Sequence, residues 1–203
     1  MTSVITGDII NSREANAPEQ WLTPLKKIFK TIDPNDQLWE IYRGDSFQIE
    51  IKNTQETFLT AVLIKASIKE VPNIDVRMAI GVGSKTHTAS KVSESNGSAF
   101  IHSGEEFEML KQNKANLAIK TDDKALNEEL NLYFKLALIA MDSWTKNSAE
   151  IVKLAIQNPN SSQQELGKLI GIKQNTASDR LKRAHFDEIV ELHKMYQKKI
   201  SAL

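Results

Sequence analysis

Within the first 83 residues the apolar positions alternate between a period of two and a period of 3.6, and that order restricts the fold more than any other feature. Ser3 to Ile10 reads as a buried strand, with Val4, Ile5, Ile9 and Ile10 around Gly7-Asp8. Glu14 to Ile32 carries Trp21, Leu25, Ile28, Phe29 and Ile32 at helical spacing. Asp33-Pro34-Asn35-Asp36 is a turn. Gln37 to Tyr42 and Phe47 to Lys52 then read as two strands of a hairpin around Arg43-Gly44-Asp45-Ser46, with Phe47, Ile49 and Ile51 alternating. Thr54 to Val71 is expected to be an amphipathic helix closed by Pro72-Asn73, and Val76 to Val82 a further buried strand.

That succession, β-α-β-β-α-β, is the split βαβ arrangement, so the expected fold class is α+β, with a ferredoxin-like antiparallel sheet backed by two helices. A Ser/Thr-rich stretch follows from Ser84 to Ser95, then a helix from about Ser98 to Gln112 and an edge strand over Leu117 to Lys120. Asp123 to Trp144 is one long helix, with Leu126, Leu130, Phe134, Leu138 and Met141 on one stripe. No Gly/Ser/Pro linker interrupts the chain. The boundary is expected near Asn147-Ser148, giving a sheet domain over 1–146 and an all-α domain over 147–203.

The chain has no cysteine, so disulfides, thiolate metal sites and cysteine nucleophiles are excluded and a reducing compartment is the natural setting. The opening Met1-Thr2-Ser3-Val4-Ile5 lacks the basic and long apolar regions of a signal peptide. No apolar run approaches the roughly 20 residues of a membrane span. A cytoplasmic protein with no membrane partner is expected. Lys+Arg and Asp+Glu balance at 26 each, but from Glu150 onward nine basic residues stand against six acidic ones. A mildly basic tail on an acidic body hints at nucleic acid, though many solvated helices look the same.

The C-terminal region sharpens that hint. Ser161 and Ser162 can cap a helix over Gln163 to Ile170, with Glu165 placed as in a capping box. Gly171-Ile172-Lys173 is a tight turn, and Gln174 to Ala184 a second helix. Leu166, Leu169 and Ile172 are expected to point inward onto Ala177 and Leu181, and the small Gly167 to let the two segments approach closely. This is the layout of a helix-turn-helix, whose second helix enters the major groove of DNA. Lys173, Gln174, Asn175 and Ser178 would begin that helix. Gln and Asn suit adenine edges, and Arg180, Lys182 and Arg183 suit phosphates or guanine. Asp179 is out of place on such a face. The alternative is a helical hairpin used only for packing.

In the N-terminal half two carboxylates stand out. Asp8 closes the first strand and Asp45 sits at the hairpin turn, and the strand order would bring them to one end of the sheet. Paired hard oxygen ligands suit Mg²⁺ or Mn²⁺ on a polyphosphate. Backbone amides over Ile9, Ile10, Asn11 and Ser12 could cradle phosphates, with Arg43 and Arg77 as further phosphate ligands. Each aspartate alone also fits turn chemistry, and the arginines also fit ion pairs to the same carboxylates.

The residues Asp8-Ile9, Gly44-Asp45 and Val76-Arg77-Met78-Ala79-Ile80-Gly81-Val82-Gly83 resemble the catalytic core of class III nucleotide cyclases. That resemblance implies two-metal nucleotide chemistry. It departs where Ile41 stands at the family's base-selecting Lys, and where Ser95 to His102 offers Asn96 but no Arg. The segment Gln163 to Leu181 resembles bacterial helix-turn-helix regulators. Taken whole, with Ile5-Thr6-Gly7-Asp8-Ile9-Ile10-Asn11-Ser12-Arg13, Arg43-Gly44-Asp45-Ser46-Phe47, Arg77 and the terminal helices, the chain resembles the SatD family of small bacterial proteins. That resemblance implies a DNA-binding regulator; with the aspartate pair, and because a single helix-turn-helix rarely provides enough contacts for specific affinity, the reading is a homodimeric DNA-binding regulator with a nucleotide- or metal-binding sensor domain. The other reading is a nucleotidyl cyclase or nucleotidyltransferase-like enzyme.

Overall fold

The computed structural model describes residues 1–203. Five strands form one sheet: β1 (Thr2–Ile10), β2 (Trp39–Tyr42), β3 (Ser46–Ile51), β4 (Asp75–Gly83) and β5 (Leu117–Lys120), in the order β2-β3-β1-β4-β5. The first four pair antiparallel, with β1 between β3 and β4. β5 pairs parallel to β4, so the sheet is mixed, not antiparallel throughout as expected. The cause is the crossover through α3 (Ser98–Asn113), which carries the chain back before β5 begins.

Period-two alternation sends Ile5 and Ile9 of β1, Phe47, Ile49 and Ile51 of β3, and Val76, Met78, Ile80 and Val82 of β4 into one large core. On that face lie α1 (Glu19–Ile32) and α2 (Thr57–Ile68). Phe29 of α1 meets Trp39 and Phe47 at ring-centroid distances of 5.4 and 5.3 Å. The other face is covered by α3, whose Phe107 and Leu110 cluster with Ala79 and Ala118. α3 rides close on β4 because Gly81 has no side chain: a Cβ there would collide with the Ala99 carbonyl. The sheet is thus covered on both sides, where two helices on one side were expected.

α2 differs from its expected amphipathic character. Phe58, Ala61, Val62 and Ile64 are buried, and so are Lys65 and Ser67. Three later helices account for this, because they close over its outer side: α4 (Lys124–Met141), α5 (Lys146–Gln157) and α8 (Phe186–Ile200). Phe58 stacks on Phe134 of α4 at 4.9 Å and lies 5.8 Å from Tyr196 of α8. A helix covered on most sides carries apolar residues on most sides, and Lys65 is kept there by its ion pairs to Asp75 and Asp142.

The chain between α4 and α5 is not a linker. α5 begins at Lys146, capped by Thr145, so the boundary expected near residue 147 falls inside its first turn. Trp144, Ala149, Val152, Ala184, Ile189 and Tyr196 belong to the same 35-residue core as the sheet. Tyr196 Oη donates to the Thr54 carbonyl at 3.1 Å, and Gln197 Nε2 to Glu56 at 2.8 Å. Within the C-terminal helices, α6 (Gln163–Leu169), α7 (Gln174–Arg183) and one side of α5 have a small core of their own, made of Ile151, Ala155, Leu166, Ala177 and Leu181. No helix is long and apolar enough to cross a membrane.

Candidate functional site

The register of β1 sets Asp8 directly between Ser46 on β3 and Arg77 on β4. Neighbours across a sheet share a face, so the three side chains form a row on the α3 side. Arg77 Nη1 lies 3.9 Å from Asp8 Oδ2, a loose ion pair. Asp8 Oδ1 and Arg77 Nε are buried and have no hydrogen-bond partner. A desolvated carboxylate oxygen and guanidinium N–H left unpaired are costly for a fold to keep. Burial pushes the Asp8 carboxyl up from its ordinary range. Arg77 and Lys111 pull it partly back, and Asp45 and Glu108 add to the rise.

Asp45 is brought to the same corner by two bonds. Its carbonyl accepts the Ile9 N–H at 3.0 Å, and its Oδ2 accepts the Ser12 hydroxyl at 2.8 Å. The first bond engages the Ile9 amide, which is therefore not free to cradle phosphate as expected. Ile10 is paired in register with Asp75. Asn11 holds a left-handed backbone, φ 59°, and its Nδ2 donates to the Asn73 carbonyl at 3.2 Å. Asn73, at φ 62°, and Arg43, at φ 53°, are left-handed as well. Non-glycine residues in this region cost energy and gather where a loop must be held in shape. Arg43 is exposed and lines a separate cleft of about 530 Å³ at the outer edge of β2, with Lys26, Tyr42 and Lys91. Asp8, Asp45, Ser12 and Arg77 are therefore grouped, while Arg43 lines the other cleft.

No group of three or more His, Cys, Asp or Glu is placed to hold a metal ion. Two carboxylates alone suit a hard cation that takes its remaining oxygens from a bound phosphate and water. The unpartnered Asp8 Oδ1 fits that demand.

At the other end of the chain, Ser162 and Glu165 make the capping box in full: Ser162 Oγ accepts from the Glu165 amide at 3.3 Å, and Glu165 Oε2 accepts from the Ser162 amide at 2.7 Å. Gly171 takes φ 70° in the turn, which a side chain would strain. A Cβ on Gly167 would stand 2.7 Å from the Ile172 carbonyl, so the close approach is to the turn itself. Leu166 is buried and Ile172 packs beside it, but Leu169 is 59% exposed. The expected inward role of Leu169 falls to Ile170, because α6 ends at Leu169 and the chain turns inward one residue later.

α7 buries only Ala177 and Leu181. Lys173, Gln174, Asn175, Asp179, Lys182 and Arg183 are exposed, and Ser178 is half-buried. Arg180 is not free: its Nη1 lies 2.9 Å from Glu150 of α5, which ties α7 to that helix. Asp179 sits among the basic residues of the outward face, as the sequence implied. The far end of α7 is anchored by Trp144, whose Nε1 donates to the Ala184 carbonyl at 3.0 Å.

A family model for the SatD family matches residues 3–197. The chain belongs to the SatD family. No curated protein and no solved structure matches it. In this SatD-family chain the residues that sequence reasoning missed are Ser46, Lys111 and Glu108. Ser46 was legible from the hairpin register, being two residues past Gly44. Lys111 and Glu108 reach Asp8 electrostatically only because α3 lies on the same face as Asp8, and no short motif encodes that placement.

Proposed function

We propose that this chain is a DNA-binding transcriptional regulator that acts as a homodimer, with α6 and α7 as a helix-turn-helix and β1 to β4 with α1 and α2 as a ferredoxin-like sensor. The observation that carries the proposal is α7 itself. It keeps only Ala177 and Leu181 inward, and presents Gln174, Asn175, Lys173, Lys182 and Arg183 to solvent from a firmly packed seat. Side chains of these types read base edges and neutralise phosphates. The sensor site is the corner of Asp8, Asp45, Ser12 and Arg77. Its ligand would be a nucleotide with Mg²⁺ or Mn²⁺: Asp8 and Asp45 would hold the cation, which would neutralise phosphate charge there. Because Trp144 and Ala184, at the end of α7, belong to the core behind the sheet, ligand binding at the sheet can change how α7 is presented.

The experiment is a titration of a fluorescent duplex with and without each nucleoside triphosphate and Mn²⁺, on wild type and Asp45→Ala. DNA affinity that moves with a nucleotide, and stops moving in Asp45→Ala, is the expected result. DNA affinity indifferent to every nucleotide and metal rejects the sensor.

The second reading is a nucleotidyl cyclase or nucleotidyltransferase-like enzyme that DNA binding merely localises. The grouping of two aspartates, Asp8 and Asp45, at one corner favours it, since two-metal nucleotidyl chemistry would need such a carboxylate pair. Product formed from a nucleoside triphosphate and abolished by Asp45→Ala would establish that reading.

A further inference from the structure

The inward stripe of α4 was legible in the sequence, but the helix carries a second apolar stripe on its outward side. Leu132, Leu136 and Ile139 are 55, 57 and 74% exposed, and Met195 of α8 beside them is 39% exposed. Leu136, Ile139, Met195 and Leu192 line a groove of about 500 Å³ between the two helices. Nothing within the chain covers it. Singly exposed apolar residues are ordinary, whereas a continuous run of this kind marks an interaction surface.

α4 and α8 run antiparallel. Lys199 pairs with Glu129 at 2.6 Å near one end, and His185 and Ser143 meet the groove at the other. α8 is charged asymmetrically along its length. Asp187, Glu188 and Glu191 lie in its first half, and Lys194 and Lys198 in its second. Glu191, Lys194 and Lys198 are exposed and form no ion pair within the chain.

We infer that this groove is the seat of a second copy of the chain, related by a twofold axis across α4 and α8. The axis reverses the helices, so the acidic half of each α8 faces the basic half of the other while the leucine stripes interleave. The surface is large enough. Helices of 18 and 15 residues are about 27 and 22 Å long. At ordinary helix spacing they present roughly 400–500 Å² per copy, so pairing removes about 1,000 Å², the lower range for a specific interface. The interface stands independently of the DNA reading. It is also compatible with it: His185, just past the end of α7, is seven residues, about 10 Å, from Leu192 in the groove, so with the axis near Leu192 the two α7 ends lie roughly 20 Å apart. A separation of about 34 Å between recognition helices is then within reach.

The test is the mass in solution by light scattering at micromolar concentration. Wild type is expected at twice 22.8 kDa, and Leu136→Asp with Ile139→Asp at 22.8 kDa. Both substituted positions are exposed, so the monomer should keep its circular dichroism and Tm. Glu188→Lys with Glu191→Lys should also dissociate the dimer, and adding Lys194→Glu with Lys198→Glu should restore it. A monomeric wild type, a dimer indifferent to the Leu136 and Ile139 changes, or a charge reversal that the second pair does not rescue overturns the inference. Because the readout is mass, its failure is distinct from any failure to bind DNA.

Discussion

The Lys65 ammonium, fully buried on α2, lies 2.6 Å from the Asp142 carboxylate at the end of α4 and 2.7 Å from Asp75 at the start of β4. These two ion pairs tie the sheet to the segment that leads into α5. Lys69 adds to the tie by donating to the Asp142 carbonyl at 2.7 Å. Trp144, two residues beyond Asp142, then holds the end of α7 through the Ala184 carbonyl. The strand that carries Arg77 and the helix that carries Lys182 are thereby joined through a short series of polar contacts.

Removing Lys65 leaves two carboxylates, the largely buried Asp75 and the part-exposed Asp142, without their cation. Breaking a buried ion pair from one side typically costs about 3–5 kcal/mol, and Asp142, the more exposed partner, moderates the loss. Lys65→Met is therefore expected to lower stability by about 3 kcal/mol, measured by urea unfolding. A loss under about 1 kcal/mol would show that the cluster is already well hydrated.

Asp8 gives the opposite sign. Burial raises its carboxyl pKa on folding, so ionisation opposes the folded state at every pH above the ordinary carboxylate range. The penalty is absent in strong acid, where Asp8 is protonated both folded and unfolded. It grows as pH rises through the unfolded value towards the folded one, and is full beyond that. Asp8→Asn is expected to raise Tm at pH 7, with a gain that shrinks on acidification. A fall in Tm at pH 7 would mean that the Arg77 ion pair outweighs the burial.

His193 on α8 lies between Phe58 and Glu56, its Nδ1 buried without a partner. Burial lowers its pKa, and Glu56 offsets this in part. A histidine depressed on folding disfavours the folded state once acid charges it in the unfolded chain, so stability falls as pH drops through the ordinary value of 6.5. Wild type should lose more Tm than His193→Gln between pH 7.5 and about 5. Equal losses would remove His193 from the acid response.

The element order and the candidate carboxylates were legible because each rests on local signals: period, turn residues, and a Gly-Asp pair at a hairpin. The capping box at Ser162 was legible for the same reason. Three features were not, and all are consequences of tertiary packing. α2 reads as amphipathic because a sequence shows no sign of the helices that later close over it. The parallel pairing of β5 depends on which face α3 crosses. Arg180 reads as a phosphate ligand because nothing near it in sequence reveals Glu150, thirty residues earlier. The outward stripe of α4 was visible as letters, but its exposure was not.

Binding of DNA by α7 is tested most directly by the salt dependence of binding to a labelled duplex between 50 and 200 mM NaCl. Wild type should bind with log Kd rising steeply against log salt. Lys173→Ala, Lys182→Ala and Arg183→Ala combined should flatten the slope by about 2–3, roughly 0.9 for each phosphate no longer neutralised. Trp144→Phe, which frees the end of α7, should weaken binding with little change in slope. Duplex binding that is absent in wild type, or that keeps its affinity and slope in the triple variant, would contradict the account.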